Sequence, residues 1–503
     1  MSEHNSVKEN DRKPDSENEL PSLKDNLVTT QHTLTMAGKV IPYNVTCGTI
    51  VLKEEAEKKG DQAGESEGEK ARATIFFIAY TRSDVEDLSK RPLTFSFNGG
   101  PGSSSVWLHL GLLGPRRVNM GDAGNLLPPP YRLVENDYSL LDSTDLVFID
   151  PVSTGFSRPV PGEKASQFHG LKGDIESVGN FIRLYSTRFL RWTSPKFLIG
   201  ESYGTTRAGG LSGYLQERHG MYLNGIMLVS SILNFQTHNF HPGNDLPYIT
   251  FLPTYSATAW YHQKLPEDLQ KLPLRDLLDE VEEFARGEYS QALMKGAALS
   301  SLERTQIIQK LARYSGLSAD YIDRTDIRIN IFRFTKELRR SERKTVGRLD
   351  SRFLGIDRDS AGEQFEHDPS MSAIMGPYTA TFYDYVRGEL NFESDLPYEI
   401  LHPQLWQKWS YSEHENRYVD VADTLRLAIS MNPFLKVHVA NGYFDLATPH
   451  FATEYTFNHL GLDPELQGNI SMSFYEAGHM MYVHLPSLEK LKNELAGFIR
   501  NSS

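Results

Sequence analysis

Three short stretches of this chain carry residues able to act together on an acyl group. The first reads Gly200-Glu201-Ser202-Tyr203-Gly204, preceded by the apolar run 197–199 and followed by a segment compatible with a helix. A serine at a sharp strand-to-helix turn occupies strained backbone, so the residues two before and two after it must lack side chains that would collide. The same turn aims the Tyr203 amide and the N-terminus of the helix at one point, where negative charge can be held. The turn explains the serine and the glycines. It does not explain Glu201.

A serine hydroxyl attacks a carbonyl only if a base takes its proton, and that base needs an acid to orient it. Asn441-Gly442-Tyr443-Phe444-Asp445 follows the apolar run 437–440, and Glu476-Ala477-Gly478-His479-Met480 follows 470–474. Asp445 and His479 are each expected on a loop at the C-terminal end of a strand. The chain order Ser202, Asp445, His479 is the one an α/β-hydrolase sheet produces. Asp423 and Asp463 are rival acids, but neither directly follows a buried strand. The third stretch is Asn98-Gly99-Gly100-Pro101-Gly102, after the run 93–97. Its glycines let backbone N–H groups approach a ligand closely, and a loop at this position supplies the second donor of an oxyanion hole.

The elements that must position these residues are short, buried-looking strands, expected at 49–52, 73–80, 93–97, 146–149, 197–199, 226–229, 437–440 and 470–474. Between the fourth and fifth, Ile175, Val178, Phe181, Ile182, Tyr185 and Phe189 recur on one face of a helix opening near Asp174. Alternation of strands and helices predicts an α/β class: a mostly parallel central sheet flanked by helices on both faces. From 247 to 433, long amphipathic helical stretches replace the strands and read as an inserted cap. The expected organisation is a disordered polar tail over 1–27, an α/β-hydrolase core over 28–246 and 434–503, and the mainly helical cap over 247–433. The charged run 53–70, set between two strands, is expected to form a solvated hairpin tip.

A formal net charge of -13 argues against a general nucleic-acid binder. The basic cluster at 339–344 has acids interleaved and reads as the solvated face of a cap helix. Cys47 is the single cysteine, so no internal disulfide can form, and its place before a strand implies an inert thiol. The charged N-terminal segment lacks the apolar core of a secretory signal, and no run of about twenty apolar residues occurs. The expectation is a chain that is not exported, does not enter a membrane and works in the cytoplasm. No HExxH or carboxylate-rich ligand cluster stands out, and His238 and His241 read as surface histidines on a loop; neither a metal nor another cofactor is expected.

Five ordered blocks carry a family resemblance. They are Asn98-Gly99-Gly100-Pro101-Gly102-Ser103-Ser104, Asp150-Pro151-Val152-Ser153-Thr154-Gly155-Phe156-Ser157, Gly200-Glu201-Ser202-Tyr203, Gly442-Tyr443-Phe444-Asp445 and Gly478-His479-Met480. Together they resemble the serine carboxypeptidases, α/β-hydrolases with a helical cap. The resemblance implies an enzyme that removes C-terminal residues from peptides through an acyl-enzyme intermediate. It implies Ser202, Asp445 and His479 as a catalytic triad and the amides of Gly100 and Tyr203 as the oxyanion hole. Asn98, Gly99 and Glu201 would then hold the substrate's C-terminal carboxylate, which accounts for Glu201. Two carboxyl groups within hydrogen-bonding distance share one proton, so the Glu201 pKa should rise.

Three departures from the family pattern stand out. Ser103 occupies a position commonly held by cysteine, which fits a non-secreted branch without disulfides. Leu112 occupies a position that often holds a glutamate, and so removes one hydrogen-bond partner from Glu201. Gly204-Thr205-Thr206-Arg207 replaces the usual Ala-Gly and later Tyr, and Arg207 is expected to point outward from its helix. An esterase or acyltransferase using the same triad is the first alternative reading, and a non-catalytic binding protein on the same fold is the second. A peptide is the expected partner, with a homodimer left open.

Overall fold

The computed structural model describes residues 23–58, 62–121 and 127–503. Most of the expected tail, 1–27, lies outside them, and its last two residues already belong to a strand. One sheet contains β1 (Asn26–Met36), β2 (Lys39–Glu57), β3 (Ser66–Arg82), β4 (Leu93–Phe97), β5 (Asp145–Ile149), β6 (Lys196–Ser202), β7 (Gly225–Ser231), β8 (Lys436–Gly442) and β9 (Ile470–Tyr475). Their spatial order is β1-β2-β3-β5-β4-β6-β7-β8-β9. Strands β4 to β9 run parallel, and β1 to β3 add an antiparallel wing at one edge. This is the mostly parallel α/β sheet that the strand pattern predicts.

Central strands are apolar on both sides because both faces are covered. Phe197, Ile199, Met227 and Val229 join one core cluster, while Leu198, Ile226 and Leu228 join the other. The covering helices are α1 (Leu171–Arg188), α2 (Tyr203–His219), α3 (Pro369–Gly388), α4 (Ala422–Met431) and α5 (Leu485–Ser502). Val178, Phe181, Ile182 and Tyr185 of α1, with Leu211 and Leu215 of α2, pack on the face of Leu198. Leu488, Leu491, Leu495 and Ile499 of α5 pack on the opposite face. From β4 the chain steps outward to β5, then crosses back to β6. Strand order therefore reverses between β4 and β6, which opens a crevice at their C-terminal ends, the usual ligand position in such sheets.

The charged run 53–70 forms the exposed end of a hairpin as expected, with the strands reaching into it: Lys53 pairs with Ala71, Glu54 with Lys70 and Glu55 with Glu69, and residues 59–61 lie outside the described residues. Where a ribbon projects past the helices both its faces are wet, so charged side chains suit a strand as well as a loop. One expectation needs correction. The boundary expected at 433 departs from the packing. Helices Leu246–Tyr261, Leu274–Phe284, Ser301–Ser315 and Ile331–Glu337 share an apolar cluster of their own. Helices α3 and α4, inside the same stretch, pack instead with the two faces of the sheet. An amphipathic helix has the same period whether it covers a sheet or another helix. No helix among the described residues is long and apolar enough to cross a membrane.

Asp145, the first residue of β5, clamps the entry to three adjacent strands. It accepts from Arg91 Nε at 2.9 Å, just before β4, and from Arg191 Nη1 at 2.7 Å, just before β6; all three side chains are buried. Asp145→Ala strands two guanidinium groups without a counter-charge, and is expected to lower the unfolding free energy by about 3–5 kcal/mol. Removing the exposed Glu65 partner of Lys58 is expected to change it by less than about 0.5 kcal/mol. Chemical denaturation of the two variants checks this, and similar midpoints would refute it.

Candidate active site

Ser202 ends β6 and immediately precedes α2, with φ 60° and ψ -130°. That conformation is strained for a residue with a side chain and is the mark of a nucleophile turn. The flanking glycines are sterically compelled. A Cβ on Gly200 would overlap the Gly204 carbonyl, and one on Gly204 would lie 2.8 Å from the Phe97 carbonyl oxygen. Gly99, on the loop after β4, is as tight: its Cβ would overlap Tyr203 N and lie 2.8 Å from Gly204 N. The loop over 98–102 therefore rests directly on the serine turn. Gly100 follows with φ +104°, in the region that favours glycine.

Arg207 does not point outward. Its Nε donates to Asp174 Oδ2 at 2.8 Å and its Nη1 to the Asn98 carbonyl at 2.6 Å, with the guanidinium also lying over the Phe97 and Tyr203 rings. Helix α2 is buried almost all round, so it has no outward face at that position. Arg207 thus ties α1, α2 and the start of the 98–102 loop into one unit. From the other side, Asp150 Oδ1 accepts from Ser105 N at 2.8 Å, and Ser157 Oγ donates to the Asp150 carbonyl at 2.6 Å. The block around Asp150 holds that loop in place.

Strands β8 and β9 finish in register, Gly442 beside Tyr475, so the loops that follow them run side by side. His479 Nδ1 lies 2.7 Å from Asp445 Oδ2. Asp445 is fully enclosed and also accepts from Ala447 N at 2.7 Å, Thr448 N at 3.0 Å and Thr448 Oγ1 at 2.6 Å. Burial pushes its carboxyl up, but the His479 ring and the Thr448 donors outweigh that and hold it below the usual carboxylate range. For His479 burial pulls the imidazole down, while the Asp445 carboxylate prevails and raises it. An ionised Asp445 only accepts, so Nδ1 carries the hydrogen and Nε2 keeps its lone pair. His479 and Ser202 line the same cavity of about 380 Å³, although Ser202 Oγ and the imidazole make no hydrogen bond with each other. Such contacts often close only around a substrate. The rival acids are elsewhere engaged: Asp423 pairs with Arg426, and Asp463 caps the turn at Glu465.

Glu201 and Asn98 line this cavity too. Burial drives the Glu201 pKa up to about 7, against the lowering influence of His479 and a hydrogen bond from Tyr482. The Tyr482 hydroxyl donates to Glu201 Oε2 at 2.6 Å. Leu112 therefore does not leave Glu201 without a partner, because Tyr482 supplies one from another loop. Gly111 makes this possible: a Cβ there would overlap the Tyr482 ring. Gly111 and Tyr482 are far apart along the chain, so the sequence carries no local signal for the exchange. Asn98 Oδ1 accepts from Leu108 N at 3.1 Å, while the buried Asn98 amide faces Glu201 and Tyr482 without a well-formed hydrogen bond and helps hold the Glu201 carboxyl down.

His238 departs from its expected surface position: its Nε2 is enclosed without a partner, and burial lowers its pKa far below the usual imidazole range. His241 is exposed, with Nε2 2.8 Å from the Tyr418 hydroxyl. Glu282, His450 and Glu454 bring three ligand atoms within 4.8 Å of one another. Glu282 is also held by Arg275 Nη2 at 2.6 Å, so its charge is already met by a side chain.

Hydrogen bonding from Tyr482 favours the charged form of Glu201, so its loss must push the carboxyl further up. Tyr482→Phe is expected to raise the Glu201 pKa above about 7. Infrared titration of the carboxyl band, with Glu201→Gln as the blank, checks this; an unchanged or lower value would contradict the pairing.

A family model described as serine carboxypeptidase matches residues 63–501. Serine carboxypeptidase-like 45 of Arabidopsis thaliana is 24% identical over 251 residues, 48% of this chain and 48% of that protein. Pheromone-processing carboxypeptidase KEX1 of Saccharomyces cerevisiae is 37% identical over 135 residues, 25% of this chain and 17% of that protein. These matches span about half or less of the relatives' length. The crystal structure of KEX1(delta)p, a prohormone-processing carboxypeptidase from Saccharomyces cerevisiae, superposes with a TM-score of 0.56 at 16% identity, covering 91% of each chain. That likeness shows the fold. The family match takes in the loop after β4, the serine turn and the loops of Asp445 and His479, and this chain belongs to the serine carboxypeptidase family.

Proposed function

We propose that this protein is a serine-type carboxypeptidase that removes the last residue of a peptide. Ser202 Oγ attacks the final peptide carbonyl as His479 Nε2 takes the hydroxyl proton. The amides of Gly100 and Tyr203 hold the oxyanion, and His479 returns its proton to the leaving amine. Water then attacks the acyl-enzyme by the same route and frees the shortened peptide. Asp445 keeps the imidazole oriented and compensates its charge.

Glu201 carries this reading. A buried carboxyl poised near neutrality, beside the buried Asn98 amide and on the wall that holds Ser202, is a receptor for a second carboxylate. Protonated Glu201 donates to one oxygen of the substrate's C-terminus, and Asn98 Nδ2 donates to the other, with Gly99 leaving room for the approach. An ester lacking a free carboxylate gains nothing from this group.

The pH dependence follows from the two raised pKa values. As pH rises through about 7, Glu201 ionises and two carboxylates face each other, so substrate binding weakens. Toward acid, His479 keeps its proton and cannot serve as base. For a blocked dipeptide, kcat/KM is expected to fall on both sides of a maximum near neutrality. Glu201→Gln should flatten the alkaline limb, and a matched ester should lack that limb in both proteins. A profile unchanged by Glu201→Gln would sink the carboxylate-binding role. Ser202→Ala and His479→Ala are each expected to lower kcat by roughly 10^4-fold or more. Fluorophosphonate labelling should also vanish in Ser202→Ala, and persistent labelling would place the nucleophile elsewhere.

A further inference from the structure

The segment over 348–351 is threaded between the two loops that carry Asp445 and His479. Leu446 N donates to the Arg348 carbonyl at 3.1 Å, Ser351 N to the Phe444 carbonyl at 2.9 Å, and His479 N to the Leu349 carbonyl at 2.7 Å. Asp368 completes the clamp by accepting from Arg348 N at 3.0 Å and Leu349 N at 3.2 Å. The backbone of Arg348 is thereby fixed beside the reacting groups.

Its side chain is not similarly bound. The Arg348 guanidinium makes neither a hydrogen bond nor an ion pair among the described residues, although the residue is half-buried. The buried guanidinium groups of Arg91, Arg191, Arg207 and Arg352 are all paired with carboxylates. The acids close to Arg348 in the chain are otherwise occupied, Asp350 by Arg352 and Asp368 by backbone amides. Arg348 lines the cavity of Ser202 and His479, and it also lines a second cavity of about 410 Å³ with His238, Phe240, Phe332, Leu446 and Ala447. Its charge is felt at both imidazoles, partly opposing the Asp445 carboxylate that raises His479 and adding to the burial that lowers His238. The second cavity includes none of Asn98, Gly99 or Glu201. If the leaving residue is anchored on those three groups, the second cavity takes the side chain on the acyl side of the scissile bond.

We propose that Arg348 makes the site selective for peptides with an acidic side chain on the residue that precedes the scissile bond. This rests on the carboxypeptidase reading for the direction in which the peptide lies. A guanidinium offers a planar fork that matches a carboxylate with two parallel hydrogen bonds. His238, with its enclosed unpaired Nε2, lines the same cavity and adds a polar group to an otherwise apolar wall. A neutral amide of the same shape receives no such charge-assisted contact.

Calorimetry with the Ser202→Ala protein reads the preference without turnover. Five blocked dipeptides suffice: glutamate, glutamine or lysine on the acyl side, and glutamate or glutamine on the leaving side. The acyl-side glutamate peptide is expected to bind roughly 10-fold to 100-fold more tightly than its glutamine counterpart. That ratio should fall to about one when Arg348→Met is added, and Arg348→Glu should make an acyl-side lysine peptide the better ligand. Equal binding of the acyl-side pair, a preference confined to the leaving side, or a preference that survives Arg348→Met would each overturn the proposal. Release of C-terminal residues by the unmutated protein is scored separately. If none is released while the affinity ratio holds, the peptidase reading fails and the role of Arg348 stands. If turnover proceeds with equal affinities, the reverse is true.

Discussion

At Gly99 and Gly204 two backbone segments meet so closely that no methyl group fits between them. The loop after β4 and the turn after β6 can share an edge only under that condition, and the site is built outward from it. The contact carries strain, since Ser202 is held at positive φ, and such strain persists only where the surroundings over-determine it. Here they do. Arg207 grips the Asn98 carbonyl from α2 and is itself anchored by Asp174 of α1. Asp150 secures Ser105 at the far end of the same loop. Backbone amides are thus brought to the nucleophile turn by close packing together with the buried hydrogen bonds of Arg207 and Asp150.

Two buried carboxyl groups stand around this turn, and their surroundings push them in opposite directions. Asp445 receives four hydrogen bonds, three from its own loop and one from His479, and is kept ionised despite complete burial. Glu201 receives one, from Tyr482, and burial prevails. Equal chemistry in unequal environments yields one group that stays charged and one that titrates near neutrality. The difference lies in the charge and the donors the fold brings to each carboxyl: the His479 ring is bonded directly to Asp445, and Asp445 has the more donors, whereas Glu201 also faces the Asp445 charge.

The helical region between β7 and β8 does more than cover the cleft. Leu446 and Phe451, just after Asp445, belong to its apolar cluster, so the acid's loop and the helices are packed as one. The segment over 348–351 leaves those helices to pass between the loops of Asp445 and His479. It brings with it a guanidinium that no carboxylate among the described residues pairs with.

What the sequence determined by itself was whatever depends on neighbours in the chain. The alternation and burial of β4 to β9 are local patterns, and so is the glycine spacing around Ser202, because each follows from sterics within a few residues. The same holds for the placement of Ser202, Asp445 and His479 on strand-end loops. The exchange at Leu112 shows where this stops: Tyr482 reaches Glu201 only because Gly111, hundreds of residues earlier, leaves its ring a space. Arg207 read as solvent-facing because nothing nearby reveals that α2 is enclosed on every side, and His238 misled for the same reason. Helix α4 looked like part of an insertion since its period does not say what it packs against. The hairpin tip at 53–70 was legible, but how far its charged strands extend was not, because composition reports wetness and not backbone shape. Burial, charge pairing and pKa are properties of which surfaces meet, and only the tertiary structure decided that.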